Sequence, residues 1–198
     1  MKQTVTAGLI GAAVIGVAAL VAVGRPVFGP TVKAASGSAR AERGKYLVSV
    51  MGCNDCHTPL AMGPTGPEPD LTRFLSGHPE QMGPLPVATA QGPWLWTGAA
   101  TNTAFSGPWG VSYAANLTPD QNTGLGIWTE DMFISAIRTG RHMGTSRPIA
   151  PPMPWPAFRN ATDEDLKSIF TYLRTIKPLT NHVPDYQPPV EAALASAR

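Results

Sequence analysis

The only two cysteines of the chain stand together, in Cys53-Asn54-Asp55-Cys56-His57. Two thiols one helical turn apart can add across the two vinyl groups on one edge of a porphyrin. The histidine that follows then points its imidazole at the iron from one face. C-x-x-C-H is the attachment signal for c-type haem. Its spacing couples covalent attachment at Cys53 and Cys56 to axial ligation by His57. Three competing chemistries are weaker. A zinc site needs about four ligands, and no second cysteine pair exists to supply them. A thioredoxin-like C-x-x-C follows a strand in a βαβ unit, and no such pattern surrounds it. A disulfide across a two-residue gap would constrain very little of the unfolded chain.

The iron's second axial ligand must come from elsewhere. Methionine is the common partner in electron-carrying cytochromes, and it raises the reduction potential. The candidates are Met51, Met62, Met82, Met132, Met143 and Met153, with His78, His142 and His182 as nitrogen alternatives. Met51 is tied too close to Cys53 to reach the opposite face. Met132 opens a helix and reads as core. Met62 and Met82 sit in Gly/Pro loops, where methionine often fills gaps. His142 and His182 read as solvent-facing or hydrogen-bonding residues. Met153 stands out within Ile149-Ala150-Pro151-Pro152-Met153-Pro154-Trp155-Pro156. Its prolines hold the backbone extended and remove donors, so this strap can present one thioether rigidly. The competing reading of the strap is a surface loop covering the core. Met143 is the second choice.

The elements that must position these residues are mainly helical. A helix is expected from about Ala39 to Met51, with Tyr46, Leu47 and Val50 at helical spacing and Gly52 ending it. A second is expected after Thr129, with Phe133, Ile134 and Ile137 inward and Gly140 as its stop. A third opens at Thr162 with an acidic first turn, carries Leu166, Ile169, Phe170 and Leu173, and stops by Pro178. Thr58–Ala115 is rich in Gly and Pro. A short helix is expected over Asp70–Ser76 and a short β-hairpin within Gln91–Ala115. So long a stretch without regular structure needs an organiser, and a large buried cofactor would serve. There is no internal repeat and no second domain.

Charge and composition narrow the partners. The 198 residues include 20 Gly and 21 Pro, and only 14% are charged. The net charge of +2 reflects Lys2, Arg25 and Lys33; from Ala35 onward acidic residues slightly outnumber basic ones. No basic patch argues for nucleic acid. Ala7–Val23 carries no charge and follows Lys2, the composition of an export segment. It is long for a signal core and short for a membrane span. Residues 1–30 are therefore expected to be a signal peptide or an N-terminal membrane anchor. Residues 31–39 read as a linker, 40–180 as the folded domain, and 181–198 as a Pro- and Ala-rich tail lying along the surface.

The helix leading into C-x-x-C-H, the methionine in a Pro-rich strap and the C-terminal helix resemble a class I cytochrome c. Gly44 and Tyr46 would meet Phe170 or Tyr172 where the first and last helices cross. A closer resemblance rests on four segments: Leu75-Ser76-Gly77-His78-Pro79-Glu80, Asn116-Leu117-Thr118-Pro119-Asp120 continuing to Trp128-Thr129, Ile137-Arg138-Thr139-Gly140, and Pro152-Met153-Pro154-Trp155. These are similar to the cytochromes c associated with bacterial periplasmic or membrane dehydrogenases of alcohol, gluconate and aldehyde type. Many of those carry two or three C-x-x-C-H units; this chain has one.

The resemblance implies a cytochrome c fold of three or more helices around one covalent haem c, with His57 proximal and Met153 distal. The expected function is single-electron transfer outside the cytoplasm, on the periplasmic side of the inner membrane, between a dehydrogenase donor and an oxidase or small carrier. Membrane association would run through residues 7–23. No enzymatic activity of its own is expected, because the chain has neither a dinucleotide fingerprint nor a nucleophile triad. The alternatives are an open-site, peroxidase-like haem enzyme and a fixed relay subunit of a dehydrogenase complex. The Asn116–Trp128 segment is expected near a haem propionate. Arg138, Arg141 and Arg147 would neutralise propionates, form a docking patch, or simply lie solvated.

Overall fold

In a computed structural model, the described residues are 36–189. Five helices are seen among them: α1 (Gly37–Val50), α2 (Cys53–His57), α3 (Glu130–Thr139), α4 (Trp155–Phe158) and α5 (Asp163–Leu173). Two small antiparallel sheets join β1 (Leu60–Gly63) to β2 (Gly66–Pro69), and β3 (Thr97–Gly98) to β4 (Ala104–Gly107) to β5 (Gly110–Tyr113). The expected signal or anchor, residues 31–35 of the expected linker, and residues 190–198 lie outside the described residues. No helix among the described residues is long and apolar enough to cross a membrane.

Each long helix starts at a hydroxyl cap. Ser36 Oγ accepts from the Ala39 N–H, Thr129 Oγ1 from Met132, and Thr162 Oγ1 from Asp165, which satisfies amide groups that a helix start leaves orphaned. The Ser36 cap starts α1 at Gly37, two residues earlier than expected and inside the predicted linker. α5 ends at Leu173, short of Pro178.

α1 and α5 pack closely because Gly44 has no side chain. A Cβ there would overlap the Ser168 carbonyl and press on Tyr172 Cβ. The expected meeting of Gly44 with the last helix therefore holds, and that of Tyr46 does not. Tyr46 faces solvent under the Arg43 guanidinium, which lies 5.6 Å from its ring centre. Leu47 and Val48 from α1, Phe133 and Ile137 from α3, and Leu166, Ile169, Phe170 and Leu173 from α5 form one apolar cluster, joined by Leu75 and Leu125. Phe133 and Phe170 sit 5.5 Å apart between ring centres. Burying an aliphatic side chain such as Leu166 or Leu173 contributes about 1.5–3 kcal/mol.

Thr58–Ala115 has more order than its composition suggested. The hairpin expected within Gln91–Ala115 is there, as β4 and β5 paired from Ala104 opposite Tyr113 to Gly107 opposite Gly110, with β3 added at the edge. β1 and β2 form a second hairpin that the sequence reading did not anticipate. The helix expected over Asp70–Ser76 is reduced to a single 3-10 turn, Leu71–Arg73, capped by Asp70.

Protein groups, not a cofactor alone, organise this segment. Thr58 Oγ1 accepts from the Leu75 N–H at 3.0 Å, and His78 Nδ1 lies 2.9 Å from Thr103 Oγ1. Asn181 donates to the carbonyls of Ser76 at 2.7 Å and His78 at 2.9 Å, and accepts from the Glu80 N–H at 3.0 Å. Asn181 was expected on a surface tail; it is buried, because its amide replaces the backbone partners that a loop lacks. Gly77 adopts φ 78° with its Cα against the Ala114 and Ala115 carbonyls, which no Cβ would permit.

Candidate haem-binding site

α2 is one helical turn. Gly52, left-handed at φ 68°, redirects the chain out of α1. The turn closes through Asp55 N–H to the Gly52 carbonyl and Thr58 N–H to the Asn54 carbonyl. Cys53 and Cys56 are thus one turn apart, and both are free thiols, half-buried. Burial pushes the Cys53 thiol up to about 11, with Asp55 and Cys56 adding to the effect against a backbone hydrogen bond that lowers it. Cys56 is raised as well, by burial and then Asp55. Both sulfurs are therefore protonated thiols near neutral pH.

The loop-rich segment holds the motif from outside. Asn102, at φ 53°, donates its side-chain amide to the Asp55 carbonyl at 2.9 Å. The Gly77 N–H donates to the His57 carbonyl at 2.8 Å. His57 is buried, with Nδ1 2.7 Å from the Ala115 carbonyl. A carbonyl only accepts, so Nδ1 carries the proton and Nε2 keeps its lone pair. Burial lowers the His57 pKa, partly offset by the Ala115 carbonyl. The outcome is a neutral, oriented imidazole with a free Nε2, the form that ligates a metal. The sequence reading missed the Ala115 carbonyl; its only signal was adjacency to Asn116-Leu117-Thr118-Pro119.

The candidate second ligands separate clearly. Met51 and Met153 pack, half-buried, against the apolar cluster, as Cys53 does. Met62 is 81% exposed and Met82 also faces solvent. Met132, read as core, is exposed too, because Phe133, Ala136 and Ile137 take the inward face of α3. His78 is fully buried in the Thr103 contact, and its ring lies 5.0 Å from that of Tyr113. His142 stands edge-on to Trp128, also at 5.0 Å. The strap around Met153 is not extended throughout: after Pro154 the chain turns into α4, and the Gly140 Cα lies against the Trp155 ring.

Of the residues expected near propionates, Asn116, Arg138 and Arg141 hydrogen-bond within the protein. Asn116 donates to the Leu179 carbonyl and Thr123 Oγ1, and accepts from the N–H and hydroxyl of Thr118. Arg138 bonds Asp163 and the Arg159 carbonyl, linking α3 to the start of α5. Arg141 donates to the Ser146 carbonyl, and Arg147 is exposed. Arg174, which the sequence reading passed over, ties α5 to the carbonyls of Leu125 and Gly126.

The residues present fit a covalently held haem. Two thiols one turn apart and an imidazole with its Nε2 free lie in sequence together, and Cys53, Phe74, Leu117, Trp128 and Met153 pack, half-buried, against the apolar cluster. The C-x-x-C-H turn follows α1 directly and α5 packs back on α1, in keeping with the resemblance to class I cytochromes c.

Comparison with known proteins gives the resemblance its particular form: the chain is similar to the cytochrome c subunits of bacterial dehydrogenases. It is 30% identical over 148 residues to the fructose dehydrogenase cytochrome subunit of Gluconobacter japonicus, covering 74% of this chain and 24% of that one. It is 28% identical over 131 residues to the gluconate 2-dehydrogenase cytochrome c subunit of Pantoea cypripedii, covering 66% and 22%. It is 28% identical over 184 residues to one of the subunits of the nicotinate dehydrogenase of Pseudomonas putida, covering 91% and 12%. The chain thus spans a quarter or less of the length of these relatives. No protein-family model matches it.

Proposed function

We propose that this chain is a single-haem c-type cytochrome that carries one electron at a time outside the cytoplasm, from a dehydrogenase towards the respiratory chain. Cys53 and Cys56 would hold the haem through thioether bonds, and His57 Nε2 and Met153 Sδ would ligate its iron. The observation that carries this reading is the His57–Ala115 hydrogen bond, which fixes the imidazole's tautomer beside two free thiols. When bound, the haem supplies a one-electron ferric/ferrous couple. Substrate oxidation belongs to the partner, so the chain is an electron-transfer component and not itself the catalyst. Two of the relatives described above are named as cytochrome subunits of dehydrogenases, which supports a dehydrogenase as donor; an oxidase or small carrier is the acceptor. Residues 7–23 bring the chain to the periplasmic face of the inner membrane, as an anchor or as a signal that is removed.

The protein's own groups set the site's properties. The Ala115 carbonyl orients His57, and the soft thioether of Met153 would favour the reduced state. The test is spectroscopic. Met153→Ala should abolish the far-red methionine-to-iron band of the oxidised protein, lower the reduction potential and let the reduced protein bind carbon monoxide. Retention of that band overturns the ligand assignment. Haem staining that survives denaturing electrophoresis in a Cys53→Ala/Cys56→Ala chain overturns the covalent attachment.

A further inference from the structure

One face of the loop-rich segment takes no part in that function. From Gln81 to Pro119 the chain contains no Asp, Glu, Lys, Arg or His. Within this neutral stretch Trp94 is 73% exposed, Leu95 67%, Val87 48% and Trp96 41%. The tip is anchored from below. Trp96 packs edge-on against Phe105 with ring centres 5.7 Å apart. Ala88 and Ser106 exchange two hydrogen bonds, at 3.0 and 2.7 Å. Thr97 and Gly98 pair with Ser106 and Phe105 in the β3–β4 ladder. Trp94 and Leu95 therefore stand exposed just before the edge strand β3 and, with Trp96, line an open groove of about 570 Å³ together with Thr89, Ala90, Gln91 and Thr97. Large exposed apolar patches mark interaction sites.

We propose that the Trp94–Leu95–Trp96 tip docks on a lipid surface, seating its two indoles at the headgroup level of the bilayer. Tryptophan concentrates at that depth because its ring is apolar and its N–H still reaches water. A neutral tip meets no desolvation cost from buried charge on insertion. The inference rests on the reading that residues 7–23 reach the membrane. Twelve residues, 24–35, separate that apolar run from Ser36. At about 3.5 Å per residue their span is at most about 40 Å, so a membrane-held run keeps this domain within about one domain diameter of the bilayer.

The test uses the full chain with haem, incorporated in or mixed with neutral phosphatidylcholine vesicles whose acyl chains are brominated near the headgroup. Bromine should quench a share of the tryptophan emission that Trp94→Phe/Trp96→Phe removes, with Trp128→Phe as the control that leaves it intact. A chain that associates with the vesicles while the double variant loses none of the quenching overturns the inference and leaves anchoring by residues 7–23 standing. A chain that has lost those residues by processing yet still shows quenching dependent on Trp94 and Trp96 supports the inference and overturns anchoring. Tryptophans that stay unquenched by lipid but lose accessibility to iodide when a dehydrogenase subunit co-purifies identify a protein interface and overturn the inference.

Discussion

Two halves of the molecule reach order by different means. The α1–α3–α5 half is held by apolar packing: its helices supply eight of the ten buried side chains of one cluster, and the close α1–α5 approach needs the absence of a Cβ at Gly44. The Thr58–Ala115 half buries few large apolar groups and many polar ones. Thr58, Ser76, His78, Thr103, Ser106 and Ser112 are all buried there. Packing tolerates small errors of volume, whereas a polar network loses heavily when one partner is removed and another is left unsatisfied. The C-x-x-C-H segment lies on the seam, with Cys53 packed on the apolar cluster and the carbonyls of Asp55 and His57 bonded by the loops.

The largest effect should come from the apolar half. Gly44→Ala puts a methyl into the Ser168 carbonyl, a backbone atom that cannot turn aside. Overpacking costs about 1–3 kcal/mol, and separating the two helices at the centre of the core lies at the upper end. A gain of about 1 kcal/mol in helix propensity does not recover it. Denaturant unfolding of the haem-loaded protein should show a loss of about 2 kcal/mol. A loss under about 0.5 kcal/mol, the ordinary scatter of surface substitutions, would mean that the crossing has slack and that the halves are less unlike than described.

Asn181→Ala tests the polar half. It strands the carbonyls of Ser76 and His78 and the amide of Glu80 at once, all beside a buried position. Each unsatisfied buried group costs about 1–3 kcal/mol, and water reaching the gap recovers part. The expected loss is about 1.5–2 kcal/mol, with faster amide exchange at Gly77 and His78 and little change in α5. Equal acceleration in both halves would show that they unfold as one unit and remove the distinction.

How much of this was legible follows the same division. The caps at Thr129 and Thr162, the inward stripe of α5 and the C-x-x-C-H turn could be read because each is a local pattern of fixed spacing. Met132 was misjudged because periodicity locates a face without saying which side meets the core. The start of α1 was placed late because Ser36 caps a run of small residues that looks like linker. Asn181, Asn102 and the Ala115 carbonyl were invisible: their partners are 47 to 105 residues away in the chain. Nothing in a neighbouring residue announces a long-range side-chain to backbone bond. Hence the glycine- and proline-rich half was read as needing an organiser, part of which these bonds supply.

His78 gives a smaller, pH-dependent signature of that half. Burial lowers its pKa, partly offset by the Gly83 backbone. In the unfolded chain it titrates near about 6.5, so the unfolded state binds more protons just below that pH. Stability is therefore full above about pH 6.5 and declines as pH falls towards the folded-state value, by at most about 1.4 kcal/mol per pH unit. His78→Asn keeps a donor for Thr103 and removes the titration. The wild-type stability curve between about pH 5 and 6.5 should be steeper than that of the variant; parallel curves would assign the acid sensitivity to other groups.

The smallest effect belongs to the ion pairs on the outside of the helical half. Arg43 donates through Nε and Nη2 to Asp165 Oδ1 at 3.1 and 2.9 Å, with the arginine side chain 51% exposed. Both nitrogens share one oxygen, so the geometry falls short of a two-oxygen fork. The backbone N–H of Asp165 donates to the Thr162 cap, and that bond persists without Arg43. Exposed pairs contribute about 0.2–1 kcal/mol and weaken with salt. Arg43→Met, which keeps the stem packed, should cost under about 0.5 kcal/mol at low ionic strength and nothing measurable at about 1 M salt. A loss that persists at high salt would mean that the α1–α5 crossing relies on charge as well as on the apolar contact at Gly44.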